Sequence, residues 1–383
     1  MILFDPHDND WLKNKFHYYQ QLRKQKNLYF SEKYKMYVLT KYDDVFYALS
    51  NPKLFSSSKG NLIVEDSKRF GKTLGASDNP IHDIMKNIVI DAYSKSNLER
   101  ISNFYKNKLL EFLTGSIVNL TEVVHRTTSY AICELINLPY DKEKISNLIY
   151  KIQTESNKCV NDGTDTSYNE FRDIVTYCLS KKIPSSESGI YHSYLNNNPK
   201  NFPALSLFTG PTISGASSLS GAIQFLILDL YRENQIQTLL AYKNLIPDSI
   251  NESLRFNTST GRFSRTVTQD ILISNTNLKP GDRVALCLDS ANRDPNRFSE
   301  PDKFKINRDD GRHLGFGYGL HACIALRISK TLMKVFLESI LDNFGSYKII
   351  NTNDDLNYLI TSSGNNDLIT NLVMKKNMML QIS

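Results

Sequence analysis

The chain has 383 residues, 40% of them hydrophobic and 22% charged, with a formal net charge of +6. That length and apolar content can bury a sizeable core, which excludes a disordered chain; the basic residues are interleaved with acids, which excludes a nucleic-acid-binding block. Five cysteines, Cys133, Cys159, Cys178, Cys287 and Cys323, are too few and too scattered for a disulfide framework and fit a reducing compartment, so a cytoplasmic protein is expected.

In chain order, the N-terminal stretch "NDWLKNKFHYYQQLRKQ" carries apolar and aromatic residues at helical spacing, and "KMYVLTKYDDVFYALSN" reads as a short strand running into a helix. No basic segment precedes an apolar run there. No stretch reaches the roughly 20 apolar residues a spanning helix needs, so neither leader nor membrane anchor is expected. From Pro80 to Leu179 helix follows helix, as in "ISNFYKNKLLEFL" and "SYAICELINL". Between Pro203 and Asn234 lies one long apolar helix, weakened in its middle by Gly210, Pro211, Gly215 and Gly221, as if something approaches its backbone. Beyond Arg255 short strands are expected in "RTVTQDILI" and "LKPGDRVALCL", with a hairpin turn at the Pro-Gly pair. The last 40 or so residues read as further strands, and "LNNNPKN" and "TSSGNND" as surface loops.

One short stretch concentrates the chemistry. In "HLGFGYGLHACIALRISK" Cys323 follows Gly317 and Gly319, which permit a sharp turn and close approach of a bulky group, and precedes a helical pattern. A sulfur at a helix N-terminus is favoured as thiolate, a strong metal ligand. A lone cysteine without CxxC or paired histidines cannot close a zinc or iron-sulfur site, whereas haem needs one proximal ligand; a nucleophilic cysteine is the rival reading. Upstream, Glu252 and Arg255 in "ESLR" share a helix face at i, i+3 and can form a fixed ion pair that Arg308 completes. The alternative is a solvated pair, or a capping box between Ser249 and Glu252.

"FGYGLHAC", Phe316 to Cys323, fits the pattern FGxGxHxC, and with the ExxR pair and the intervening loop "ANRDPNRFSEPDKFKINRDDGRH" the sequence resembles the cytochrome P-450 family. The resemblance spans essentially the whole chain and is strongest over residues 252 to 330. It implies a mainly α fold with a smaller β-rich portion, haem lying between the long central helix and the cysteine loop, in a single domain over 1–383. The helical body would occupy about 80–255, with β-rich and haem-loop parts at about 35–60, 260–323 and 345–383. It further implies one haem b with Cys323 as axial ligand, Phe316 and Gly317 in the cofactor loop, and Glu252, Arg255 and Arg308 as its structural support. His82, Lys86 (where arginine is more usual), Arg265, His313 and His321 fall at positions that contact the propionates.

Departures from the family pattern bear on mechanism. The central helix has "ISGASS", Ile213 to Ser218, where the family commonly has Ala-Gly-x-acid-Thr-Thr. In one register Ala216 replaces the acid and Ser217 the alcohol; in the other these are Ser217 and Ser218. A proton relay would have to run through Ser217 or Ser218 and water, or through the substrate. Ala325 and Lys330 replace a glycine and an arginine without removing chemistry.

The resemblance therefore implies a soluble monooxygenase of secondary metabolism, using dioxygen and electrons from a separate ferredoxin or flavodoxin with its reductase. Arg312, Arg327, Lys330 and Lys334 offer a basic face to such an acidic partner. The pocket-bordering stretches, among them residues 55 to 75, "NTSTG" and the turn at Ser362, are rich in Ser, Thr and Asn, which favours a polar substrate, amino-acid or peptide derived and in some cases carrier-tethered. Two other classes stay open: the same haem fold with peroxide-driven, coupling, cyclising or isomerising chemistry, and a haem protein that binds ligands without turnover.

Overall fold

A computed structural model describes residues 4–115, 117–155, 165–184, 188–198, 202 and 205–349, together with the backbone of strands 358–361, 371–374 and 379–382. Cys159 and the turn at Ser362 lie outside the described residues, as do parts of the two loop stretches at 195–201 and 361–367.

The largest core is helical. Leu120–Ile136 is buried on almost every side, with Asn119 capping its start by accepting from the Glu122 amide and Asn137 closing its end at φ 51°. Lys95–Phe112, Lys142–Glu155 and Ala216–Arg232 pack around it, contributing Ile101, Tyr105, Ile149, Ile223 and Leu226 to one apolar cluster.

The long central element runs Leu205–Arg232 and changes type part-way: α over Leu205–Gly210, π over Pro211–Gly215, α again over Ala216–Arg232. Pro211 has no amide hydrogen to give, so the regular ladder fails there and the turn widens, between glycines that add no side-chain resistance. Among the described residues this is the one helix long and apolar enough to cross a membrane, and most of it is buried inside the protein.

The β portion is smaller. Its main sheet runs Tyr29–Ser31, Met36–Leu39, Arg283–Cys287, Arg262–Val267, Phe55–Ser56, with Met36–Leu39 parallel to Arg283–Cys287 and the other pairings antiparallel. Arg265 stands opposite Val284. The hairpin expected at Pro280–Gly281 forms earlier: Ile271–Ile273 pairs with Thr276–Leu278 across Ser274 and Asn275, both at positive φ. Pro280–Gly281 makes a second turn, in which the Asp282 amide donates to Lys279 O and the Asp282 carboxylate accepts from the Lys279 amide. Near the C-terminus Met379–Ile382 lies between Ile117–Asn119 and Tyr347–Ile349, and Tyr358–Thr361 pairs with Asn371–Met374.

Candidate functional site

The cysteine loop is held by its own backbone. Gly317 N–H donates to Leu314 O at 2.8 Å and Cys323 N–H to Phe316 O at 2.9 Å, folding 314–323 back on itself. Gly317 and Gly319 sit at φ +66° and +68°, and a Cβ at Gly319 would lie 2.7 Å from the Leu49 carbonyl oxygen, so no other residue fits there. The helix Leu326–Phe344 begins three residues after the sulfur, later than the sequence suggests. Burial pushes the Cys323 thiol above its usual range, while the Ala325 amide hydrogen bond pulls it down by less. With no cation at the sulfur among the described residues, burial outweighs that bond. The residue is nonetheless exposed. Burial and exposure together mean that the sulfur opens on a recess inside the protein.

A cationic group forms a second feature. Arg265 is buried, yet its guanidinium donates to Ser264 O at 2.7 Å and joins no ion pair. Burial drives its pKa down to about 10, offset only by the more distant Asp78. His82 and His321 stand edge to face, their ring centroids 4.7 Å apart. Nε2 of His321 is buried with no partner, and burial plus the positive Arg265, His82 and Lys86 holds the ring down to about 3. His82 contacts only the half-exposed Asp83, 3.2 Å from its Nδ1, so these donors are packed with too little negative charge unless an anion joins them.

Glu252, Arg255 and Arg308 form a buried network. Arg255 forks onto Glu252 at 2.8 Å through both Nε and a terminal nitrogen, and Arg308 Nε reaches the same carboxylate at 2.9 Å. The Lys305 amide adds a further bond at 2.7 Å, and Arg255 also donates to Asn292 O and Pro301 O. Asn292 in turn accepts from the Leu314 amide at 2.6 Å, so this network anchors the chain entering the cysteine loop.

On the central helix, Ser217 Oγ donates to Ile213 O at 3.0 Å, and Ser218 Oγ to Ser214 O at 2.6 Å and Gly215 O at 3.3 Å. Both hydroxyls spend their hydrogen on the π turn and keep lone pairs to accept another.

A family model for cytochrome P450 matches residues 231–364. Cytochrome P450-terp of Pseudomonas sp is 26% identical over 82% of this chain and 82% of its own. A methyl-branched lipid omega-hydroxylase of Mycobacterium bovis is 25% identical over 79% and 76%, and the pulcherriminic acid synthase of Bacillus subtilis 22% identical over 91% and 92%. Among solved structures, P450BioI in complex with an acyl carrier protein ligated to hexadec-9Z-enoic acid superposes with TM-score 0.80 at 18% identity, covering 98% of this chain and all of that one. The family model, the relatives and the fold neighbours all support a bacterial cytochrome P450.

A P450 is a monooxygenase, an oxidoreductase whose cofactor is haem b. The residues present fit that group: a recessed sulfur for the iron and a buried cluster of Arg265, His321 and His82, in contact with no acid among the described residues but the half-exposed Asp83, with Lys86 nearby for two carboxylates. His313 is a correction. It lines a separate cleft beside Arg255, Arg312 and Lys330, and its Nδ1 accepts from the Gly315 amide at 3.1 Å, so it does not join the group around His321.

Two features escaped the sequence reading. Tyr93, half-buried, has its pKa raised by burial and then by the charge of Cys323, which places the phenol within electrostatic reach of the sulfur. Its signal was faint, an aromatic shortly after the His82–Lys86 helix. The second is a buried polar network: Thr128 and Ser220 share a hydrogen bond at 2.7 Å, Ser220 donates to Gln153, Gln153 to Ser129, and Thr121 to Gln224. His125 sits among them, pushed down to about 4 by burial. Ser220 and Gln224 at i, i+4 on an otherwise apolar helix were the available cue.

Proposed function

We propose that Cys323 is the axial ligand of the haem, that His82, Lys86, Arg265 and His321 hold its propionates, and that Glu252, Arg255 and Arg308 fix the ligand loop within a single domain. The observation that carries this is Arg265, a buried guanidinium with no acid in contact beside a histidine nitrogen with no partner. Haem bound there supplies reductive activation of dioxygen, one oxygen atom entering the substrate and the other leaving as water. The protein's own part is to keep the sulfur in a recess, with the Ala325 N–H stabilising its anionic form. Ser218 Oγ, bonded to Ser214 O, holds a proton at the π turn and accepts another from water, the role a carboxylate would otherwise take.

The substrate on this reading is a small polar metabolite of secondary metabolism, amino-acid or peptide derived, free or carrier-tethered, with electrons from a separate ferredoxin or flavodoxin in the cytoplasm. Support comes from the Ser/Thr/Asn-rich stretches at the pocket border, from pulcherriminic acid synthase as a relative and from the carrier-bound P450BioI as a fold neighbour. The lipid omega-hydroxylase relative points the other way, to an apolar substrate. Titrating the ferric holoenzyme with amino acids, cyclic dipeptides, fatty acids and terpenoids decides between them. A shift of the Soret band to the high-spin form by the first two classes supports this assignment, and a shift by fatty acids alone overturns it. The acid-free π turn favours a second reading, non-standard haem chemistry, which predicts product with peroxide but none with dioxygen and an electron donor.

A further inference from the structure

A cavity of about 370 Å³ lies between the helix Ile246–Phe256, the loop through Arg312 and His313, and the start of Leu326–Phe344. It sits at the small end of ligand pockets, which run from about 300 to 1,000 Å³. Its charges do not cancel. Glu252 is saturated by Arg255, Arg308 and the Lys305 amide, and Arg308 also pairs with Asp310, so that network contributes little net field to the cleft.

What remains is a set of donors. Arg312 has a cation–π contact with Tyr318 at 4.8 Å and no carboxylate partner among the described residues. Lys330 Nζ gives one hydrogen to Asn251 Oδ1 at 2.6 Å, leaving two. Nδ1 of His313 accepts from the Gly315 amide, which assigns its hydrogen to Nε2, and none of the described residues accepts from that nitrogen. Burial and the neighbouring Lys330, Arg312 and Arg255 hold the ring down to about 3, so it stays neutral with a single fixed N–H. Lys330 is itself pushed down by burial and by Arg312, as expected where positive charge lacks a counter-ion.

One acceptor faces these donors. Asp248 lies on the same helix face as Asn251, Glu252 and Arg255 and has no partner among the described residues. A carboxylate would repel a fully deprotonated anion but accepts a hydrogen bond from one that carries a proton.

We propose that this cleft is a binding site for a phosphate group, held by Arg312, Lys330 and His313 Nε2 with its P–OH donating to Asp248. Hydrogen phosphate carries such a proton near neutral pH and sulfate does not; a phosphate monoester, with its second pKa at about 6, carries one only in its minor monoanionic form. The site is independent of which substrate the haem side takes.

The test is calorimetric titration of the holoenzyme with sodium phosphate, glycerol 2-phosphate and sodium sulfate at matched ionic strength, with chloride as the control. Saturable phosphate binding is expected, at least about tenfold tighter than sulfate, since one charge-assisted hydrogen bond is worth roughly that factor. Arg312→Gln, on the exposed edge, and Lys330→Met should each weaken it about tenfold or more, and Asp248→Asn should bring sulfate level with phosphate. Tighter binding of the free ion assigns the site to inorganic phosphate, and tighter binding of the monoester assigns it to a phosphorylated metabolite. Heats indistinguishable from chloride overturn the proposal, as does unchanged affinity in variants whose Soret band matches that of the parent.

Discussion

His82 and His321 meet edge to face, 76° between ring planes, and neither imidazole finds an acid except the half-exposed Asp83, 3.2 Å from His82 Nδ1. With Arg265 buried alongside, the haem-free chain stores unneutralised positive character that two propionates would satisfy. Arg265→Leu should therefore have opposite effects on the two forms. Haem-free protein should unfold at a higher temperature, and the loaded protein should lose haem to a competing haem acceptor about tenfold faster. A faster loss without the gain in the haem-free form would mean that Arg265 is already compensated.

Glu252 is the common acceptor of Arg255 and Arg308, and its side chain and that of Arg255 are each 2% exposed. Replacing it by Ala leaves a buried guanidinium unpaired, which should cost about 3–5 kcal/mol of unfolding free energy. Arg308→Ala, leaving the Glu252–Arg255 fork in place, should cost less. Equal losses in chemical denaturation would show that the fork has no independent stability.

Ser217 and Ser218 donate only to their own helix, so Ala at either position should leave stability within about 0.5 kcal/mol. Ser218, bonded across both Ser214 O and Gly215 O, lies where the π turn loosens the carbonyls. Its replacement should lower the fraction of electrons recovered in product, measured against peroxide released, with Ser217→Ala closer to the parent. The reverse order would select the other register.

The cysteine loop was legible because its chemistry writes itself locally: Gly319 faces a carbonyl 2.7 Å from where a Cβ would be, so the residue type alone reports the geometry. The Glu252–Arg255 pair was legible for the same reason, its partners being three residues apart. His313 was misplaced because its partners, Arg312, Lys330 and the Gly315 amide, are set by a cleft between the loop and two helices that no local pattern encodes. The His125 network was beyond reach, since Thr128, Gln153 and Ser220 come from three helices whose packing no local pattern encodes. Proline and glycine at 280–281 drew the hairpin to themselves, while Ser274 and Asn275 supplied the left-handed backbone.

Asp229 gives a prediction in pH. It is buried on the central helix, accepts from Ser253 Oγ at 2.7 Å and Asn257 Nδ2 at 2.6 Å, and burial raises its carboxyl from 3.8 to about 7 against those bonds. Between those values the folded chain holds a proton that the unfolded chain has released, so stability falls as pH rises from about 4 to about 7 and levels off above. The full span is of order 4 kcal/mol. Asp229→Asn keeps both hydrogen bonds, accepting from Asn257 through its oxygen and donating to Ser253 through its nitrogen, and carries no charge. In urea unfolding the variant's advantage over the parent should grow from pH 5 to pH 7 and then stay constant. An advantage independent of pH would place the Asp229 carboxyl near its ordinary value and identify the gain as packing.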